Sequence, residues 1–271
     1  MALLAELAER DATGEKAAIY REMRHLGGVP MVALIFRHLA TLPGALEWMW
    51  TAIGPAWRSG RLQETAWRIA RGAPLEPLTP ITRADLDSVG VDEAGRAELD
   101  AVLEAYNRAN PENMLTILCV LRLLAGARAS VPADPRAWTP PRAPGPLPAM
   151  VHPKDFSLEV AAILDLVAAP GEPGGPRVVQ SLYRHFVHRP RFLALAVERL
   201  RERFHDGAID RAASSVHGAM SAAADDIVHG LAASPAPHAG IRPVCERFGG
   251  AVIPQMIVVG RLLDESLPQT P

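Results

Sequence analysis

Residues 27–44 read GGVPMVALIFRHLATLPG, and residues 174–191 read GGPRVVQSLYRHFVHRPR. The two stretches share Gly27/Gly174, Gly28/Gly175, Val32/Val179, Arg37/Arg184, His38/His185 and Pro43/Pro190. At the same shift of 147, Gly27–Gly72 aligns with Gly174–Ala219 without a gap, and nine of the 46 pairs are identical. Ordinary residue frequencies would give roughly three or four. Further pairs are physically alike, such as Phe36/Tyr183, Trp57/Phe204, Leu62/Ile209 and Ile69/Val216. A weaker match sets Asn110-Pro111 against Ile253-Pro254, each expected to open an apolar helix. An internal repeat dictates the architecture before any motif is read. The expectation is two fused helical repeats packed as a pseudo-dimer.

Between the copies the composition changes. Pro132, Pro135, Pro140, Pro141, Pro144, Pro146, Pro148 and Pro153 crowd one segment. Proline lacks an N–H and clashes inside helices, so no helix crosses it. The chain is thus expected to divide into a first repeat (1–128), a proline-rich linker (129–153) anchored by Trp138, and a second repeat (154–271).

Within each flank the apolar residues recur at helical spacing: Ala18, Ile19, Met23 and Leu26 in one, Val160, Ile163, Leu164 and Val167 in the other. Each run ends at a Gly-Gly pair. Short helices are expected before Pro43 and Pro190, since the residue before proline leaves the α region. Thr82 suits an N-cap for a helix ending at Gly90, and Asp92 caps a longer one through Tyr106. Nothing shows sustained strand alternation. The fold class is all-α.

Composition narrows the function. Hydrophobic residues make up 49% and aromatics only 5%, so Ala, Leu, Val and Ile fill the core. A net charge of −2 gives no electrostatic reason to expect nucleic acid or an anionic membrane. The apolar run Met114–Ala127 contains Arg122 and is too short to span a bilayer. MALLAELAERD has acidic residues directly after its apolar start, unlike a signal peptide. A cytoplasmic protein is the expectation. Cys119 and Cys245 have no metal-like spacing, and no phosphate loop, CxxC or HExxH occurs.

The order of several short motifs resembles the group I 2-haloacid dehalogenases. They are Ile19-Tyr20-Arg21-Glu22, Val29-Pro30, the block Arg37-His38-Leu39-Ala40-Thr41-Leu42-Pro43-Gly44, and Tyr106-Asn107-Arg108-Ala109-Asn110-Pro111. The resemblance implies an all-α protein of two repeats with a pocket between them and no cofactor. It places Met31, Leu34, Asn110, Val178, Ser181, Leu182, Gly249, Ile253 and Met256 around that pocket. It further implies a carboxylate base that removes a proton from water, eight residues before the second-repeat proline. That position is Leu182, and no Asp or Glu occurs between Glu172 and Glu198. Ser181 keeps the family's residue type. Gly249 and Met31 stand where an aromatic and a tryptophan are expected, which enlarges the cavity.

Other residues carry competing readings. His185 and His188 share a helix face, but His38 matches His185 in the first copy, which favours a structural role. Asp225 and Asp226 near His217 and His229 read as a solvated face. Asn110 before Pro111 reads as an N-cap, as a pocket donor, or as both. Ser181 reads as a serine bonding back to its helix, with no His–Asp partner in local reach. Arg37 and Arg184 fit an anionic ligand or an edge ion pair. Trp48, Trp50, Trp57 and Trp67 read as packing between repeats.

Three functions stay open. One is an enzyme acting on a small or medium, largely apolar, carboxylate-bearing molecule by a changed mechanism. Another is a non-catalytic binding protein with the same pocket. The third is a dehalogenase whose base is another acid, for which Asp225 or Glu64 would have to reach the pocket. The expected partner is a small-molecule ligand, with neither nucleic acid nor membrane; the sequence leaves room for a homodimer.

Overall fold

The computed structural model describes residues 5–127, 138–168, 179–231, 236–250 and 252–269. It is all-α, with no strand among the described residues. The first flank forms α1 (Gly14–Gly27), α2 (Leu34–Leu39), α3 (Ala45–Arg58), α4 (Arg61–Arg71), α5 (Arg83–Ser88) and α6 (Glu93–Leu124). The second forms α7 (Leu158–Asp165), α8 (Ser181–Phe186), α9 (Pro190–His205), α10 (Ala208–Val228), α11 (Ile241–Gly250) and α12 (Val252–Ser266). No helix among the described residues is long and apolar enough to cross a membrane.

Local chemistry sets these boundaries. Gly28 takes the left-handed conformation (φ 59°) and closes α1 by donating its N–H to the carbonyls of Arg24 and His25. The matching pair Gly174-Gly175 lies outside the described residues. Thr82 and Asp85 bond reciprocally as a capping box on α5, and Asp92 accepts from the Gly95 N–H to start α6.

One boundary expectation fails. Asn110 does not open a helix, because α6 runs unbroken through Pro111 for 32 residues, about 48 Å. Proline inside a helix removes one backbone bond and costs about 3 kcal/mol. Burial offsets that cost: every residue from Ala109 to Val120 is buried where α6 packs against α4, α10, α11 and α12. By contrast, Pro254 lies in the first turn of α12, where its missing N–H leaves no helical bond unmade.

One hydrophobic cluster extends from Ile19 in α1 to Leu267 beyond α12, with α6 at its centre. Several polar groups inside it are tied down. The Trp57 indole N–H donates to Thr116 Oγ1 at 3.0 Å, and Gln63 Nε2 donates to the carbonyls of Leu26 and Trp57. In the crossover, Trp138 donates to the Leu26 carbonyl at 3.1 Å and packs against Trp67. Its ring lies directly over Gly60, where a Cβ would come within 2.2 Å of it.

Candidate functional site

The element beginnings that the repeat pairs by sequence, α2 and α8, line a shared cavity of about 530 Å³. Its other walls are the middle of α6, the crossover around Pro146–Met150, and the junction of α11 with α12. Met31, Leu34, Asn110, Ser181, Leu182, Ile253 and Met256 all border it. Gly249 does not; it faces α6, where a Cβ would lie 2.9 Å from Ile117 Cγ2. Val178 lies outside the described residues. Most of the wall is apolar, and burial of a ligand's hydrocarbon there excludes water.

One part of the wall is polar. The rings of Tyr106 and His185 meet edge to face, with centroids 5.5 Å apart. His185 Nδ1 lies 2.7 Å from the Pro148 carbonyl, which can only accept, so Nδ1 carries the proton. Nε2 is then an acceptor, and the Tyr106 hydroxyl donates to it at 3.1 Å. Ser181, Tyr106 and His185 all border the cavity. Burial holds His185 down at about 4, with the Arg184 and His188 charges adding to the effect. The imidazole is neutral at physiological pH.

Three guanidiniums also border the cavity, those of Arg37, Arg184 and Arg247. Arg37 pairs with Glu6 at 3.1 Å, though its buried Nε has no partner. Arg184 donates from Nε to the Val151 carbonyl at 3.0 Å, and no carboxylate among the described residues forms an ion pair with it. Burial pushes its pKa down, and Arg37 reinforces the shift. Two buried amides complete the wall: Asn110 Nδ2 and Gln180 Oε1 have no partner. Asn110 is therefore no cap; its free donor belongs to the cavity wall. A buried unpaired amide costs about 1–3 kcal/mol, so such groups mark where a ligand or water can bond.

Among the described residues, no Asp or Glu borders the cavity. Asp225 instead pairs with Arg122 at 2.5 Å, which holds its carboxyl below the ordinary range. Glu64, on α4, is also away from the wall. The buried carboxyl nearest in sequence is Glu112, one residue before the wall residue Asn113. It points at Gly27 and Trp57 rather than the cavity, and burial raises its pKa well above the carboxylate range.

From sequence, His185 reads as structural and Tyr106 only as part of a motif. Their partnership spans 79 positions, so no local spacing could reveal it. His38, the counterpart of His185, also bonds a backbone carbonyl through Nδ1 (Ala5, 2.6 Å), but it is away from the cavity. The Asp225–Asp226 group holds no metal-like set, and no three such ligands gather among the described residues. Cys119 and Cys245 are buried free thiols, and burial raises the pKa of both.

No family model matches the sequence, and no curated protein matches it significantly. Solved structures do. A complex of D-2-haloacid dehalogenase with L-LA superposes with a TM-score of 0.71 at 17% identity, covering 98% of this chain and 94% of that one. A mutant complex with D-2-CPA gives 0.67 at 18% identity, with the same coverage. A further D-2-haloacid dehalogenase mutant gives 0.65 at 17% identity, again covering 98% and 94%. At this identity the likeness shows the fold, and the fold of this chain is dehalogenase-like.

Proposed function

We propose that this chain is an enzyme of the dehalogenase fold whose cavity, between two helical copies, takes a medium-sized, largely apolar organic acid. It works without the carboxylate base implied at position 182. The observation that carries the reading is the cavity wall itself: three guanidiniums, an apolar majority and no carboxylate among the described residues. A carboxylate repels an anionic ligand, whereas Arg184 attracts one. Deep, mostly apolar pockets with a few converging polar groups are the usual small-molecule sites, and about 530 Å³ accommodates far more than a three-carbon acid.

Several local matches support the two-copy reading and the division at the proline-rich segment. The bounds of α2 and α8 differ by 147 positions at both ends. Gly60 and Gly207 precede α4 and α10 in the same left-handed conformation, with φ of 71° and 74°. The soluble, cytoplasmic placement and the absence of a cofactor remain part of the same proposal.

Calorimetric titration tests it. Octanoate should bind at least tenfold more tightly than 1-octanol, because only the acid can pair with Arg184. 2-Chloropropionate should release no chloride, since it fills too little of the cavity and meets no carboxylate base. Equal affinity for the two octyl ligands, or chloride release abolished by Asn110→Ala, would overturn the reading. The missing base also favours a second reading, a non-catalytic binding protein; it predicts octanoate binding without turnover of any acid.

A further inference from the structure

Leu182 and His185 stand three residues apart on α8, so they share a face one turn apart. Both border the cavity. The side chain able to accept a proton is thus displaced by one turn from where the resemblance implies a carboxylate. Tyr106, which also borders the cavity, donates to His185 Nε2 at 3.1 Å, and Nδ1 is fixed on the Pro148 carbonyl.

The surroundings oppose charging of His185. Arg184 on α8 and His188 just beyond its end flank it. Arg37 of α2, paired with Glu6, and Arg247 of α11 border the same cavity. From α6 it meets the neutral Tyr106 and from the crossover a carbonyl. Where α9 begins, Arg189 is already paired with Glu98 at 2.7 Å. Proton uptake would thus add a cation beside the Arg184 guanidinium. A carboxylate seated on Arg184 removes that penalty.

We propose that Tyr106 and His185 form a proton relay opening on the cavity, and that an anion bound at Arg184 is what permits His185 to accept the proton. In the transfer, a hydroxyl in the cavity gives its proton to the Tyr106 oxygen as the Tyr106 proton passes to Nε2. One O–H bond of the donor breaks, one N–H bond forms, and the donor's oxygen keeps the electron pair. The occupied site is then a stronger base than the empty one. By reciprocity, the anion must bind more tightly as His185 takes up its proton.

This inference rests on the reading of the cavity as an acid-binding site, and the experiment separates the two. Protein labelled with 15N-histidine is titrated by NMR, free and saturated with sodium octanoate, with the His185 signal assigned by its loss in His185→Gln. Octanoate should raise the His185 midpoint by one pH unit or more, a tenfold change in proton affinity; 1-octanol should leave it in place. Arg184→Gln should raise the midpoint of the free protein and abolish the octanoate effect. Tyr106→Phe should slow exchange of the acquired proton at least tenfold. Calorimetry at pH 5 in buffers of different ionisation enthalpy gives a second readout: the wild type should take up more protons on octanoate binding than His185→Gln, in which only the ligand's own carboxyl titrates. Octanoate bound with no shift in the midpoint and no proton uptake beyond that of His185→Gln overturns the relay and leaves the acid-binding reading standing. No octanoate binding at all overturns both.

Discussion

Replacing Glu112 by glutamine tests whether this deeply buried carboxyl beside the cavity wall belongs to the packing or to the chemistry. Glu112 is 1% exposed, and its Oε1 has no hydrogen-bond partner. Arg108 supplies only distant compensation, being engaged with Glu104 and the carbonyls of Gly28 and Arg142. Burial therefore raises the folded-state pKa well above the 4.5 of a free glutamate. The sign follows from proton counting. Below pH 4.5 both folded and unfolded chains hold the proton; above it the unfolded chain ionises first, so stability falls as pH rises towards the folded value. The slope is about 1.4 kcal/mol per pH unit. Glutamine keeps the shape and removes the titration. Between pH 5 and 7 the variant should gain stability relative to the wild type, by at most the roughly 3 kcal/mol that one proton contributes over two pH units. Urea unfolding at the two pH values measures this. Parallel pH dependences would refute the burial argument, and weakened octanoate binding would place Glu112 in the site after all.

Gly60→Ala should destabilise by about 2–4 kcal/mol in thermal or urea unfolding, because it forces a left-handed side chain and displaces Trp138, whose ring would lie 2.2 Å from the new Cβ. Gly249→Ala should cost about 1–3 kcal/mol through its 2.9 Å approach to Ile117 while leaving octanoate affinity unchanged, since Gly249 is off the cavity wall. Gly260→Ala should cost as much or more, because its Cβ would lie 2.4 Å from Asn107 Oδ1 and force α12 from α6.

The all-helical fold was legible because its signals are local: apolar spacing, the capping residues Thr82 and Asp92, and the glycine that ends α1. Arg37-His38 and Arg184-His185 recur at one shift, and α2 and α8 begin and end at that same shift of 147. The continuity of α6 was not legible. Pro111 is a strong local stop signal, and only tertiary burial of the residues around it overrides that signal. Tyr106–His185 escaped for the opposite reason: each residue is locally unremarked, and their meeting depends on how α8 packs against α6. Arg184 was visible as a candidate anion contact. Its lack of a carboxylate partner is a property of the packed structure. Glu112 gave no signal, since a glutamate after Asn-Pro looks like the solvated first turn of a helix.

The most direct measurement of the central claim is a crystal structure of the protein grown with saturating octanoate. One octanoate should lie in the cavity, its carboxylate within hydrogen-bond distance of the Arg184 guanidinium and its chain along Met31, Leu34, Ile253 and Met256. An empty cavity, or an octanoate with its carboxylate turned away from Arg184, would contradict acid binding at this site.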